Sequence, residues 1–391
     1  MYGGNPAVPD DVFAAIVEQV NTFVREEVVP REFEIMSNDE IPHDLRTKAA
    51  QLGLFGYAIP QEWGGMGIDI VQEVELAISF GYTSLAFRSL FGTNNGIAGQ
   101  VLVGFGSTAQ KQKWLPSMAT GEVIASFALT EEGAGSNPAA LRTSAKRTQN
   151  GWVINGEKRY ITNASVADLF LVFARTGDAE SNSSSIGVFL VPANLPGVEI
   201  GPKDQKMGQE GSRTAEVRLN DVVVESDALI GSDPAAGYRA ALTSLARGRI
   251  VIAALAVGAA QRALDESVAY AATATQGGTL IGKFQLVQAM IADQKVGVLA
   301  GRSLVREVAR HYATNEDRHV APSAAKLFCT EMAGQVADLA VQIHGGAGYM
   351  RGIPVERIYR DVRLLRLYEG TSEIQRLIIG SSLVKSAINA H

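Results

Sequence analysis

Apolar residues at Phe13, Ile16, Val17, Val20, Phe23, Val24 and Val28 recur every three or four positions, and Pro30 ends the run. That spacing predicts an amphipathic helix with one face turned to a core. A second helix is expected from about residue 42 to Gly53. Between residues 56 and 67 glycine is too frequent for a regular element, so a loop is predicted. From 71 to about 113 helical spacing returns, with Gly92, Gly96, Gly99, Gly104 and Gly106 marking ends or close contacts.

After Gly121 the period changes. Residues 123–129, 169–174, 186–191 and 215–224 are β-type runs, with a polar loop at 177–185. Asn155-Gly156, between 152–154 and 157–161, is a two-residue hairpin signal. Helices then return and persist. Residues 245–269 are small or apolar on nearly every side, as in a helix enclosed by a bundle. Residues 286–312 form a second long helix. Residues 323–343 carry Phe328, Met332, Val336, Leu339 and Ile343 in one stripe, with Gly345-Gly346 as the stop. The chain reads as mainly α with a central β domain: helical from 1 to 121, β from 122 to 231, a helical bundle from 232 to 391.

The 391 residues suffice for this organisation. A net charge of -6 gives no basic footprint for nucleic acid. Cys329 is the one cysteine, which rules out an intramolecular disulfide, and its place on an apolar helix face suggests an inert core thiol. The five histidines are scattered and none lies in an H-E-x-x-H motif, so no metal is expected. The start of the chain lacks a basic-then-apolar signal pattern. The longest apolar run, 250–260, is too short to cross a bilayer. A cytoplasmic protein without membrane insertion is the expectation.

Three stretches carry candidate chemistry. Glu369 lies between Tyr368 and Gly370, and Ser372 with Gln375 has capping-box spacing, so a helix should start there with 377–379 on its buried side. Apolar neighbours would raise the Glu369 pKa and the helix dipole would lower it; such a carboxylate suits proton abstraction beside a carbonyl. Residues 127–137 follow a strand, where glycines with Thr130 and Ser136 offer N–H groups and hydroxyls to a phosphate or heterocycle. They are no dinucleotide fingerprint, because Pro138 stands where a glycine would be needed. Tyr160-Ile161-Thr162-Asn163 ends a strand with an aromatic and a hydroxyl suited to a flat ring. Taken singly, each stretch also reads as ordinary structure.

In order and spacing, however, Glu62-Trp63-Gly64-Gly65-Met66-Gly67, Leu129-Thr130-Glu131-Glu132-Gly133-Ala134-Gly135-Ser136, the run from Val341 through His344-Gly345-Gly346 to Tyr349, and Tyr368-Glu369-Gly370-Thr371-Ser372-Glu373 resemble the acyl-CoA dehydrogenase family. The resemblance runs from about residue 42 to 383. It implies an N-terminal helical domain, a middle β-barrel-like domain and a C-terminal four-helix bundle, assembled as a homotetramer active in fatty acid metabolism. FAD is the implied cofactor. Phe127, Leu129, Thr130, Gly135 and Ser136 would line it, Tyr160 would replace the usual tryptophan beside the ring with Ile161 following, and Thr162 would bond near N5. Gln285, Gln342, Gly345 and Gly346 would reach the FAD of a neighbouring subunit, and Thr371 to Glu373 the pyrophosphate. Ser136, Arg249 and Gly370 fall at acyl-CoA contacts. Glu369 matches the catalytic base, giving a trans-2-enoyl thioester, with an electron-transfer flavoprotein as acceptor. Where some members carry the base on the bundle helix, this chain has Gly248.

The sequence also departs from the pattern. Ala274 and Gly277 replace an arginine and a phenylalanine that grip FAD across an interface. Asn137 replaces an aspartate, and Ala246 stands where an acidic residue touches the CoA arm. An acyl group on a carrier protein is therefore the alternative substrate to a short or medium acyl-CoA. A monooxygenase or oxidase on this fold, or a structural subunit of a hetero-oligomer, are the remaining readings.

Overall fold

A computed structural model describes residues 8–177, 185–231, 233–314 and 316–390. Most of the polar loop expected at 177–185 lies outside the described residues. The N-terminal part is helical: α1 (Asp10–Thr22), α2 (Glu32–Asn38), α3 (His43–Gln51), α4 (Ile70–Gly81), α5 (Leu85–Asn95), α6 (Ile97–Phe105) and α7 (Thr108–Thr120). The predicted loop at 56–67 consists of turns around a short 3-10 segment, Gln61–Trp63.

The middle part is a curled sheet of β1 (Ala125–Ala128), β2 (Ser144–Arg147), β3 (Gly151–Thr162), β4 (Leu169–Arg175), β5 (Ile186–Pro192), β6 (Val198–Lys203) and β7 (Thr214–Glu225). The order is β1-β4-β2-β3-β7-β6, with β5 also paired to β4. β4 is buried along its whole length, parallel to β1 and antiparallel to β5, which explains its unbroken apolar run.

One sequence expectation fails here. Asn155-Gly156 is not a hairpin: β3 runs straight through it, pairing with β7 on both sides of a bulge. The extra residue is on β7, where Asp221 turns at φ 50°, and the Asn155 side chain exchanges two 2.9 Å bonds with Asp221 opposite. The real turn is 148–151, closed by Gly151 C=O accepting from Thr148 N–H at 2.9 Å. Pairing with β7 needs both halves of β3 in line, and that long-range constraint overrides the local turn propensity.

The C-terminal part comprises α8 (Gly237–Thr273), a small hairpin of β8 (Thr275–Gln276) and β9 (Thr279–Leu280), α9 (Gln285–Ala313), α10 (Val320–His344), α11 (Pro354–Arg363) and α12 (Ser372–Asn389). Helix α8 is 37 residues long and packs against α4, α9 and α10. It is long and apolar enough to cross a bilayer, unlike the shorter run read from sequence, yet 78% of its apolar window is buried inside the fold. Its core joins the first helices to the last: Phe23, Phe80 and Phe91 share a cluster with Ile250, Cys329 and Leu365. The Cys329 thiol is fully buried and pushed up to about 12, as an inert core thiol should be.

Two further expectations are corrected. Residues 377–379 are not the buried side of α12: Leu377 is 66% exposed, and the inward residues are Ser372 and Gln375. The N-cap is Thr371, whose Oγ1 accepts from Ile374 N–H. The Ser372 hydroxyl donates instead to Glu331, and Gln375 reaches backwards to two carbonyls. On α10, Phe328 is 42% exposed, leaving the apolar stripe at Met332, Val336 and Ile343.

Candidate active site

Glu369 and Gly370 sit in consecutive left-handed conformations, φ 53° and 93°. Glutamate rarely adopts that backbone, so the turn is strained and must be held. It is held from below. Gln375 Nε2 donates to the carbonyls of Glu369 (3.3 Å) and Gly370 (2.8 Å), and Lys326 Nζ of α10 donates to the same Gly370 carbonyl. Both side chains are fully buried. Lys326 was not singled out from sequence; the available signal was a lysine on the same face as Cys329 and Ala333.

The turn aims the Glu369 carboxylate at α8. A Cβ on Gly248 would stand 2.1 Å from Oε2, so the helix must have no side chain there. Oε2 is buried and has no hydrogen-bond partner in the protein. Desolvation pushes the Glu369 pKa up; the cations Arg88, Lys326 and Arg249 pull the other way, and Glu73 adds to the rise. These three cations are an opposing pull that the sequence did not reveal. Arg249 is buried, with Nη1 at 3.4 Å from the Ser323 hydroxyl and an unpartnered Nε. Arg88, on α5, is a second residue that sequence reasoning missed.

The β domain meets this turn through α5. Asn163, just past the end of β3, donates to the Ser89 carbonyl (2.8 Å) and the Thr93 hydroxyl (3.1 Å). Ser126 of β1 donates to the Thr162 carbonyl at 2.7 Å. Tyr160 has φ 57° and is 73% exposed, while Ile161 is buried. The loop after β1 is tied down by a buried pair: Lys158 Nζ donates to Glu131 Oε1 (2.7 Å) and to the carbonyls of Leu129 and Phe173. Arg159 N–H also donates to the Thr130 carbonyl at 2.9 Å. Phe127 packs on Phe173 at 4.7 Å. Gly135 and Ser136 are exposed beyond this anchor.

These residues fit a bound FAD. A Cβ at Gly133, Gly345 or Gly346 would meet nothing within 4 Å, leaving open backbone that phosphate can approach. Thr371 and Glu373 stand at the N-terminus of the 18-residue α12, a favourable end for a pyrophosphate. At the α8–α9 hairpin, Ala274 and Gly277 bring no cation, and Gly277 has open space about it.

The structure does not bring every expected residue together within one chain. Gln285, Gln342, Gly345 and Gly346 are exposed where α9 begins and α10 ends. His344 stacks on Tyr270 of α8 at 4.2 Å. Tyr270 is 22 residues beyond Gly248, about 33 Å along the helix. This second group is remote from its own Glu369.

Residues 11–122 match the acyl-CoA dehydrogenase N-terminal domain, 126–222 the middle domain and 235–384 the C-terminal domain. This chain belongs to the acyl-CoA dehydrogenase family. Its members are flavin-dependent oxidoreductases. The chain is 40% identical over 372 residues to the probable acyl-CoA dehydrogenase YngJ of Bacillus subtilis, covering 94% of this chain and 97% of that one. The structure of butyryl-CoA dehydrogenase from Megasphaera elsdenii superposes with a TM-score of 0.92 at 29% identity, covering 97% of this chain and all of that one. The prolyl acyl carrier protein oxidase AnaB superposes with a TM-score of 0.91, also at 29% identity, covering 96% of this chain and all of that one. An acyl-CoA dehydrogenase fold thus accommodates either kind of thioester carrier.

Proposed function

We propose that this acyl-CoA dehydrogenase removes hydrogen from the α and β carbons of a short- or medium-chain acyl-CoA, with Glu369 as the α-proton base. The observation that carries this reading is the Glu369 carboxylate, buried and unpartnered on a strained turn against a glycine in α8. Burial makes it a stronger base than a surface carboxylate, and Arg88, Lys326 and Arg249 favour its ionised form. Its own backbone N–H would donate to the thioester oxygen as charge develops there. Bound FAD would accept the β-hydrogen as hydride. Tyr160, Ile161, Thr162 and the loop from Phe127 to Ser136 would hold the flavin end, with Thr371 and Glu373 near the pyrophosphate. Ser136, Arg249 and Gly370 would contact the thioester. Gln285, Gln342, Gly345 and Gly346 would serve a neighbouring subunit, since they lie too far from the Glu369 of their own chain. That division calls for a second subunit, which a homotetramer would supply, with an electron-transfer flavoprotein as the acceptor in this reading. The butyryl-CoA dehydrogenase neighbour supports a short acyl chain.

A carrier-protein thioester is the second reading, supported by the AnaB neighbour and by Ala246 in place of an acidic CoA contact. Anaerobic titration of the purified, FAD-loaded protein with acyl-CoA and acyl-carrier thioesters tests both. One series should bleach the visible flavin band, and Glu369→Gln should keep the flavin and lose the bleaching. Full bleaching in that variant would remove Glu369 from the role.

A further inference from the structure

We propose that Gln209 is a positioning residue for the dehydrogenation: from the loop between β6 and β7 it fixes Tyr368, and through it the Glu369 carboxylate, relative to the end of β3 that would hold the flavin. The inference rests on the dehydrogenase reading and adds a residue to it. A connection between two antiparallel strands ordinarily runs over the surface. This one, residues 204–213, is drawn onto the helical parts instead. Gly208 lies against the backbone of Arg360 in α11, where a Cβ would stand 2.7 Å from the carbonyl carbon. Arg360 Nη1 also donates to the Met207 carbonyl at 2.8 Å. Gly211, at φ 97°, donates its N–H to Asp39 Oδ1 at the end of α2, at 2.6 Å.

Between these anchors Gln209 takes φ 54° and is only 2% exposed. A residue other than glycine keeps that left-handed backbone only where its surroundings over-determine it. The decisive contacts lie beside the Glu369 turn. The Gln209 N–H donates to Asp361 Oδ1, and its Nε2 donates to the Asp361 carbonyl at 3.2 Å. Asp361 is itself buried and fixed by Arg357 at 2.9 Å. The Tyr368 hydroxyl lies among Gln209, Arg88 and Asp361, and the Gln209 side chain is its hydrogen-bond partner. An amide can serve a carbonyl and a phenol at once, which an aliphatic side chain cannot. The far end of the same loop reaches β3: the Arg213 carbonyl accepts from Asn163 N–H at 2.6 Å, and Thr214 pairs with Thr162. A short run of chain therefore joins the strand end at Thr162 to the side chain that precedes Glu369. Because Tyr368 and Glu369 are consecutive, freeing the phenol would let the carboxylate shift, and such misplacement costs rate more than affinity.

The test pairs amide hydrogen exchange with anaerobic bleaching of the FAD-loaded protein, using butyryl-CoA and butyryl-carrier protein as probes. The variants are Gln209→Leu, Tyr368→Phe and the two combined. In Gln209→Leu, exchange across residues 365–371 should rise by about 10-fold while α8 stays as in the parent. Its bleaching rate at saturating probe should fall by on the order of 10- to 100-fold, with half-saturation unchanged. Tyr368→Phe should slow bleaching alike, and the combined variant should be no slower than the slower single one, since the two side chains act as a unit. Gln209→Asn keeps the amide and suits the left-handed backbone but draws back from the phenol by one methylene. It should behave as Gln209→Leu does, and it decides the matter if that variant does not fold. A parental bleaching rate in either Gln209 variant, or slowing that multiplies in the combined one, overturns the proposal and leaves the loop as a brace between domains. A parent that bleaches with neither probe, while exchange still depends on Gln209, would sink the dehydrogenase reading instead.

Discussion

Gly248 and Glu369 form a pair in which the absence of one side chain makes room for the other. Alanine at 248 would gain helix propensity, by about 0.5–1 kcal/mol, but its Cβ would overlap the carboxylate. Gly248→Ala should therefore fold normally and lose turnover by about 100-fold, the scale expected for misplacing a reacting group by an ångström. Steady-state kinetics beside a thermal melt would check both halves. The raised pKa of Glu369 has a consequence for stability. Its folded-state value lies above the unfolded one, through desolvation, with Arg88, Lys326 and Arg249 opposing and Glu73 reinforcing. The folded state thus holds a proton that the unfolded state releases, and stability falls as pH rises through that interval. Glu369→Gln mimics the protonated form, so its melting temperature should exceed the parent's at pH 8 and approach it at pH 4. An unchanged difference across that range would contradict the burial argument. The identity of this residue was legible in sequence; its glycine neighbour was legible only as an empty position.

At the scale of elements, the turn before α12 stays strained because α10 and α12 both brace it. Lys326→Met removes one of the two donors to the Gly370 carbonyl. The expected cost is about 1–3 kcal/mol at pH 7, read from urea unfolding. Desolvation lowers the Lys326 amine to about 8, with Glu369 the main opposing influence. Between that value and the ordinary 10.5 the unfolded chain binds a proton that the folded chain does not, so this group adds stability as pH rises. The methionine variant should lack that rise. Sequence periodicity located α10 and the strand that ends at Thr162, since each segment repeats its own pattern. It misjudged Asn155-Gly156 and the capping residue because pairing with β7, and the carbonyls of a strained turn, compete for the same groups.

For the whole molecule, the apolar surface left on α9 and α12 is the informative feature. Leu286, Val296 and Leu299 on α9 and Leu377, Val384 and Ile388 on α12 are exposed. Apolar side chains exposed in such number along two helices suit contact surfaces, and they lie on the helices that carry or adjoin Gln285 and the Glu369 turn. Analytical ultracentrifugation should find an oligomer, and the double variant Leu377→Asp, Val384→Asp should shift it to smaller species with less bound FAD. A parent that sediments as a monomer would refute this. The chain by itself determined the α–β–α organisation, the strand that ends at Thr162 and the acid at 369, because periodicity and short motifs are local properties. Only the tertiary structure decided which residues share a site. It brought Arg88, Gly248, Arg249 and Lys326 to Glu369 from three helices and set the end of α10 beside Tyr270, about 33 Å along α8 from Gly248, because such proximity depends on how helices cross, and crossing depends on the packing of the entire core.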